Sequence, residues 1–436
     1  MKILPGRRAF RALLSLAAIL ALGVAVASLP WRQERAPGPP RLLQASGGTG
    51  PLRAGAAAVA FDLPAGVPIG GFARLAYRSE GVRDPVGARA LVLAVPGCKV
   101  ALVSAEILLV PEALEAAVRA RVTDLGLDGL VVAATHTHAG PGGYWAHAFG
   151  ERIATGPYDP RLRDLVAGAI ADAVRRADAA LAPARVAVAR GAAADLARSR
   201  SGGAEDGRLT VVRVVGDPGG APVAELVVFG AHPTILGKDN RRISGDWPGR
   251  LLADGRHGVR LFMQGALGDQ SVEGPSSVTP EKFAEALSAR VASLRSAAPS
   301  ASTAVAFASV ELGLPSPDPW AAPPLLRRAA RNLAHGAFPA SAHVEAVRVG
   351  DLVLAFLPAE PTAAVAAGWR PSLPPGTELV SLAGGYLGYV EEPARMTAGA
   401  GETVRTYYGP ELAKLLGDAA RMAAARVVQP ASGARP

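Results

Sequence analysis

Leu130-Val131-Val132-Ala133-Ala134-Thr135-His136-Thr137-His138-Ala139-Gly140-Pro141-Gly142-Gly143-Tyr144 passes from an unbroken apolar run to two imidazoles and then to a glycine-rich loop. A short apolar run closed by polar and turn residues reads as a strand that passes into an open loop. Such strands belong to α/β sheets covered by helices, where ligands gather in the crevice beyond the strands' carboxyl ends. In an extended chain residues i and i+2 share a side, so His136 and His138 are expected to reach one metal ion from this strand end. Scarcity adds weight: the chain has 7 histidines beside 50 glycines and 37 prolines, and two of the seven stand here.

Outward from this stretch, apolar runs alternate with helical spacing. Strands are expected at 90–95 and 100–104 around the turn Pro96-Gly97, then at 185–189, 209–215, 224–229, 259–263, 304–310, 344–349 and 352–357. Helices are expected at 111–125, 160–180 and 280–295, with another starting near Pro361. The fold class is α/β: one large domain over residues 56–428, with mixed β-sheets flanked by helices and a metal site at strand carboxyl ends. Residues 36–55, rich in Pro, Gly and Ser, read as a linker, the proline-rich 314–326 as a surface loop and 429–436 as a tail.

With 436 residues, half of them hydrophobic, the chain can bury a large core, which excludes global disorder. Cys98 is the single cysteine, so no intrachain disulfide forms and any metal is held by His, carboxylate or Tyr. Cys98 itself reads as a small buried hydrophobe. Residues 1–35 have the pattern of a signal peptide or signal anchor: Lys2, Arg7, Arg8 and Arg11 precede an apolar run to about Pro30, and Ala25-Val26-Ala27 fits a cleavage site. The folded part is thus expected to be exported, as a secreted, periplasmic or membrane-anchored protein. The net charge of +9 comes from scattered arginines, and aromatics make up only 5% of the residues. Without a basic stripe interleaved with aromatics, no nucleic-acid partner is expected; an anionic membrane surface is the better match.

Three further apolar runs end in polar chemistry. Residues 225–229 lead to Gly230-Ala231-His232-Pro233-Thr234, residues 259–263 to Gly265-Ala266-Leu267-Gly268-Asp269-Gln270-Ser271, and residues 352–357 to Pro358-Ala359-Glu360-Pro361-Thr362. Singly, His232 reads as a core histidine, Glu360 as a helix N-terminal charge and Ser271 as a loop hydroxyl; together, at strand ends, they read as one site.

From about Phe61 to Leu416 the chain resembles the neutral/alkaline non-lysosomal ceramidases, zinc amidohydrolases that cleave the N-acyl bond of ceramide to sphingosine and a fatty acid. The resemblance is carried by Thr135-His136-Thr137-His138-Ala139-Gly140-Pro141-Gly142-Gly143-Tyr144, Gly71-Phe72-Ala73, Arg89, Ala231-His232-Pro233-Thr234, Gly268-Asp269-Gln270-Ser271, Ala359-Glu360-Pro361-Thr362, Gly385-Tyr386-Leu387-Gly388-Tyr389 and Tyr408-Gly409-Pro410. It implies one Zn2+ per chain on His136, His138, His232, Glu360 and Tyr389. It also implies an active-site serine at Ser271, a functional arginine at Arg198, and a lipid or acyl-amide substrate. Three imidazoles and a carboxylate leave such a metal room to activate water or polarise an amide carbonyl. Attack by water and attack by Ser271 both remain open; Asp269 reads as a turn residue rather than a base.

The chain departs from the family pattern in several places. Val272 follows the serine where proline is usual, Gly401 stands where a tyrosine is expected, and the stretch after Arg198 is shorter. The immunoglobulin-like C-terminal domain of characterised ceramidases has no counterpart before Pro436. Two other functions therefore stand beside cleavage of ceramide: an amidase or esterase for another acyl compound, and a non-catalytic envelope binding protein of the same fold.

Overall fold

The computed structural model describes residues 34–73, 77–274, 277–322 and 327–429. The export segment, apart from its last two residues, the end of the 314–326 loop and all but Gln429 of the expected tail lie outside these. Among the described residues no helix is long and apolar enough to cross a membrane.

Among the described residues seventeen strands form the sheets: β1 (Arg41–Gly48), β2 (Arg53–Ala60), β3 (Gly87–Val95), β4 (Cys98–Ala105), β5 (Gly129–Ala134), β6 (Ala182–Ala192), β7 (Ala197–Ser199), β8 (Arg208–Gly216), β9 (Pro222–Phe229), β10 (Val259–Gln264), β11 (Gln270–Val272), β12 (Val305–Gly313), β13 (Ser341–Val349), β14 (Leu352–Phe356), β15 (Glu360–Pro361), β16 (Thr377–Val380) and β17 (Tyr389–Val390). The helices that cover them are α1 (Glu112–Arg121), α2 (Pro160–Ala179), α3 (Asp246–Leu252), α4 (Pro280–Ser293), α5 (Ala363–Trp369) and α6 (Glu411–Val428). One sheet has eight strands in the order β10-β9-β8-β6-β2-β3-β4-β5 and another five in the order β1-β12-β13-β14-β16. Both mix parallel and antiparallel pairs, β4 with β5, β9 with β10 and β14 with β16 being parallel.

Period-two alternation sorts the strand residues into layers. Leu91 and Leu93 of β3, Leu102 of β4 and Leu226 of β9 face Phe307, Leu354 and Phe356 of the smaller sheet in one shared core. The alternate residues face outward: Ala90, Val92 and Val103 pack on Leu114 of α1 and Val166 and Ile170 of α2. Phe229 and Phe262 pack on Trp247 of α3 and Phe283 of α4, and Val344 and Ala355 on Leu416 and Ala420 of α6. The result is a helix–sheet–sheet–helix arrangement, the α/β fold expected. The continuously apolar strands are continuous because both of their faces are covered.

The linker reading of residues 36–55 is corrected. β1 pairs antiparallel with β12, and β2 with β3. The glycines there mark close packing: a Cβ at Gly48 would stand 1.9 Å from the Pro96 carbonyl oxygen, and one at Gly55 2.2 Å from that of Ala177 in α2. The domain accordingly begins before residue 56.

The larger sheet curls until its ends approach. Ser104 Oγ in β4 donates to the Phe262 carbonyl in β10 at 2.7 Å, and Gln264 Nε2 donates to the carbonyls of Thr135 and Ala231 at 2.9 and 3.1 Å. Gln264 thereby ties together the exits of β5 and β9, which carry His136 and His232.

Candidate metal centre

Four chain segments supply the centre. β5 ends at Ala134, and His136 adopts a left-handed backbone with φ 67°, so the extended geometry expected for the His-x-His pair is not what brings the rings together. The imidazoles meet nonetheless: His136 Nε2 and His138 Nε2 lie 3.3 Å apart. His232 follows β9, its backbone bridging Ser271 of β11. Glu360 and Tyr389 face each other in the parallel ribbon of β15 and β17. Gly71 closes over the second histidine, where an added Cβ would lie 2.6 Å from His138 Nδ1.

The hydrogen bonds fix the tautomers. His136 Nδ1 lies 2.6 Å from the Leu108 carbonyl oxygen and His232 Nδ1 2.8 Å from that of Gln270. A carbonyl only accepts, so each Nδ1 carries the proton and each Nε2 presents a lone pair. Glu360 Oε1 accepts from Tyr386 at 2.8 Å. Its Oε2, buried and without a hydrogen-bond donor, stands 3.4 Å from His136 Nε2 and 3.2 Å from His232 Nε2. Lone pairs converging on one buried point repel unless a cation sits among them, and nitrogen and carboxylate donors of this kind suit a divalent metal ion. The ligand atoms of His136, His138 and His232 all lie within 4.8 Å of one another, a group that could hold a metal ion.

Burial pushes His232 down to about 4, with the charge of Arg200 adding to the effect, and pushes His138 well below its ordinary value. Neutral imidazoles are the state a metal requires. Tyr389 Oη lies 3.0 Å from His232 Nε2 and accepts from Arg200 Nη2 at 3.1 Å.

The two residues expected to be catalytic fall differently. Ser271 lies in β11 beside the His232 backbone, partly buried, and is not among the residues lining the cavity above the centre. Arg198 is half exposed and paired with Glu273 at 3.3 Å, away from that cavity. The arginine at the centre is Arg200, whose Nε donates to Glu402 at 2.8 Å and whose Nη2 donates to the Gly268 carbonyl and Tyr389. Residues two apart share a face only while a strand continues; β7 ends at Ser199, and the chain turns at Arg200, its amide bound to the Asp269 carbonyl at 2.8 Å. Asp269 behaves as a turn residue, as expected: its carboxylate accepts from Ser199, Ser201, Gln270 and the amide of Ala363. Arg198→Ala is expected to leave kcat/KM within about twofold, whereas Arg200→Ala, which frees Tyr389, lowers it roughly 10- to 100-fold. Steady-state kinetics of the two variants checks this, and equal effects would contradict the assignment.

A cavity of about 500 Å3 opens above the centre. Its wall is aromatic and apolar, from Phe72, Trp145, Phe149, Ile153, Phe338 and Tyr407, with Arg200 and Arg405 at the polar end. Sequence reading missed these aromatics and Tyr386. They are scattered singly over distant segments, and among them Phe72 and Tyr386 sat inside quoted motifs without being read as site residues.

Residues 62–252 match the family described as neutral/alkaline non-lysosomal ceramidase, N-terminal. This stretch of the chain is similar to that family's N-terminal domain. A neutral ceramidase of Mycobacterium tuberculosis is 28% identical over 200 residues, 40% of this chain and 31% of that protein. Neutral ceramidase A of Dictyostelium discoideum is 30% identical over 134 residues, 27% of this chain and 18% of that protein. The matches thus span less than a third of either curated relative. In fold the family likeness runs further: the crystal structure of neutral ceramidase from Pseudomonas aeruginosa superposes with a TM-score of 0.77 at 18% identity, covering 88% of this chain and 76% of that one. A ceramidase complexed with C2 gives 0.75 at the same identity.

Proposed function

We propose that the chain is a zinc-dependent amidohydrolase that cleaves the N-acyl bond of ceramide or a related N-acyl lipid, giving a sphingoid base and a fatty acid. The observation that carries this reading is the convergence of the imidazole lone pairs and the unpartnered Glu360 oxygen at the floor of a cavity with an aromatic wall. His136, His138, His232 and Glu360 would hold the metal, with Tyr389 beside them. When bound, zinc supplies Lewis acidity and lowers the pKa of water.

The chain's own residues do the rest. Tyr386 fixes one oxygen of Glu360, and the carbonyls of Leu108 and Gln270 fix His136 and His232. Arg200 holds Tyr389. The aromatic wall accepts an acyl chain and excludes bulk water from the scissile amide. The position of Ser271 outside the cavity lining favours water as the nucleophile: its oxygen adds to the amide carbon, the carbon–nitrogen bond breaks, and the amine leaves with a proton. The charged and then apolar residues 2–30 support export, and the net charge of +9 supports work at an anionic lipid surface.

One observation favours a second substrate within the same chemistry. Arg200 and Arg405 both pair with the single carboxylate of Glu402, leaving a net positive charge that suits an acyl amide with a carboxylate on its amine half. Fatty-acid release from detergent-dispersed ceramide and from water-soluble N-acyl amino acids, measured with the full chain, separates the two. Higher kcat/KM on ceramide supports the lipid reading, and cleavage of the amino acid derivatives alone overturns it.

A further inference from the structure

Three phenols line the cavity, from Tyr386, Tyr389 and Tyr407. Two have engaged hydroxyls: Tyr386 donates to Glu360, and Tyr389 lies between Arg200 and His232. The Tyr407 hydroxyl has no hydrogen-bond partner among the described residues, although its ring is firmly held. Thr406 bridges Gly388 and Tyr408 bridges Asp318, while the Tyr407 carbonyl accepts from the Asp318 amide at 2.6 Å. Gly388 presses on one side of the ring, where an added Cβ would stand 2.5 Å from Tyr407 Cδ2. The rings of Phe338 and Phe149 pack on it with centroids 5.0 and 5.9 Å away. A clamped phenol that lines the cavity, its hydroxyl unused by the described residues, is placed to bind what enters.

We propose that Tyr407 is a further catalytic residue, its hydroxyl donating a hydrogen bond to the oxygen of the scissile carbonyl as the carbon becomes tetrahedral. This rests on the amide-hydrolase reading of the same site. Electrostatics suits a donor: burial pushes the phenol up to about 12, the nearby Glu360 charge adds to this and Arg405 opposes it, so the proton stays on oxygen at neutral pH. The same segment offers no other phenol for the task. Position 401 is a glycine with φ +65°, a left-handed backbone that L side chains rarely adopt, and offers no hydroxyl. Tyr408 turns its hydroxyl to the Pro339 carbonyl at 3.0 Å and does not line the cavity.

Tyr407→Phe keeps the ring and its packing and removes only the donor. Loss of one preorganised donor to a developing oxyanion lowers kcat about 100-fold, and KM is expected to stay within roughly threefold. Tyr408→Phe, which also loses a phenol, serves as the control and leaves kcat within about twofold. A second readout needs no turnover: calorimetric binding of decanoate, whose carboxylate oxygen takes the place of the carbonyl oxygen, weakens about tenfold in Tyr407→Phe. If Tyr407→Phe matches the parent chain in both kcat and decanoate affinity, the proposal is overturned and the phenol is only part of the wall. If the parent chain cleaves no acyl amide, the proposed function fails, and the decanoate comparison still decides whether Tyr407 binds an acyl oxygen.

Discussion

Replacing His136 with alanine is expected to lower kcat/KM for N-acyl hydrolysis by about three orders of magnitude and to reduce zinc uptake from one ion per chain to a small fraction. His136 gives one of the Nε2 lone pairs and lies 3.4 Å from the unpartnered oxygen of Glu360. Without it the metal site loses a donor, and Glu360 Oε2 loses one of its two close imidazole neighbours. A Lewis acid is worth several kcal/mol of transition-state charge stabilisation, and about 4 kcal/mol is a factor of a thousand. Metal analysis together with initial rates checks the prediction. Full zinc occupancy with unchanged turnover would place the metal elsewhere.

The second large effect concerns stability. Glu225→Leu is expected to destabilise the fold by about 3–5 kcal/mol, because it leaves the buried Arg260 guanidinium with only the more distant carboxylate of Asp254, at 3.4 Å, among the described residues. Arg260 has a side chain with no exposed surface, and Glu225, its neighbour in register across β9 and β10, is almost as buried. Arg260 Nε donates to Glu225 Oε1 at 2.9 Å, and Arg295 binds both carboxylate oxygens. The exposed Arg198–Glu273 pair, by contrast, is worth less than about 1 kcal/mol. Thermal melting distinguishes them: a fall of several degrees for Glu225→Leu, and next to none for Glu273→Gln. The double variant Glu225→Leu with Arg260→Met should recover much of the loss, since removing both charges leaves neither stranded. A melting point of Glu225→Leu within about 1 °C of the parent chain would show that the pair carries no such weight.

Strands such as Leu130-Val131-Val132-Ala133-Ala134 were legible as short apolar runs closed by turn residues, and the whole of β5 proves to be buried. The helices expected at 160–180 and 280–295 were legible from their spacing, and the side chains of Asp159 and Thr279 prove to cap their first turns. β1 and β2 were hidden because glycine and alanine serve two purposes. In a linker they confer freedom, but here they let Pro96 and α2 approach the strand backbone, and only the neighbour reveals which applies.

The centre followed the same division. Histidines and a carboxylate at strand ends could be gathered from sequence, since few residues of that chemistry exist in the chain. Arg200 could not be told from Arg198, because the choice depends on β7 stopping at Ser199. The reason given for the His-x-His pair also failed in detail: a left-handed His136 rather than an extended strand brings the rings together. The cavity wall left no local signal, since Trp145, Phe149, Phe338 and Tyr407 meet only through tertiary packing.

The most direct test of the metal-hydrolase account is fatty-acid release from dispersed ceramide by the full chain, measured as isolated, after chelation, and after return of one equivalent of zinc. The account predicts activity that disappears with the metal and returns with it in proportion to occupancy. Hydrolysis that continues undiminished in metal-free protein would contradict it.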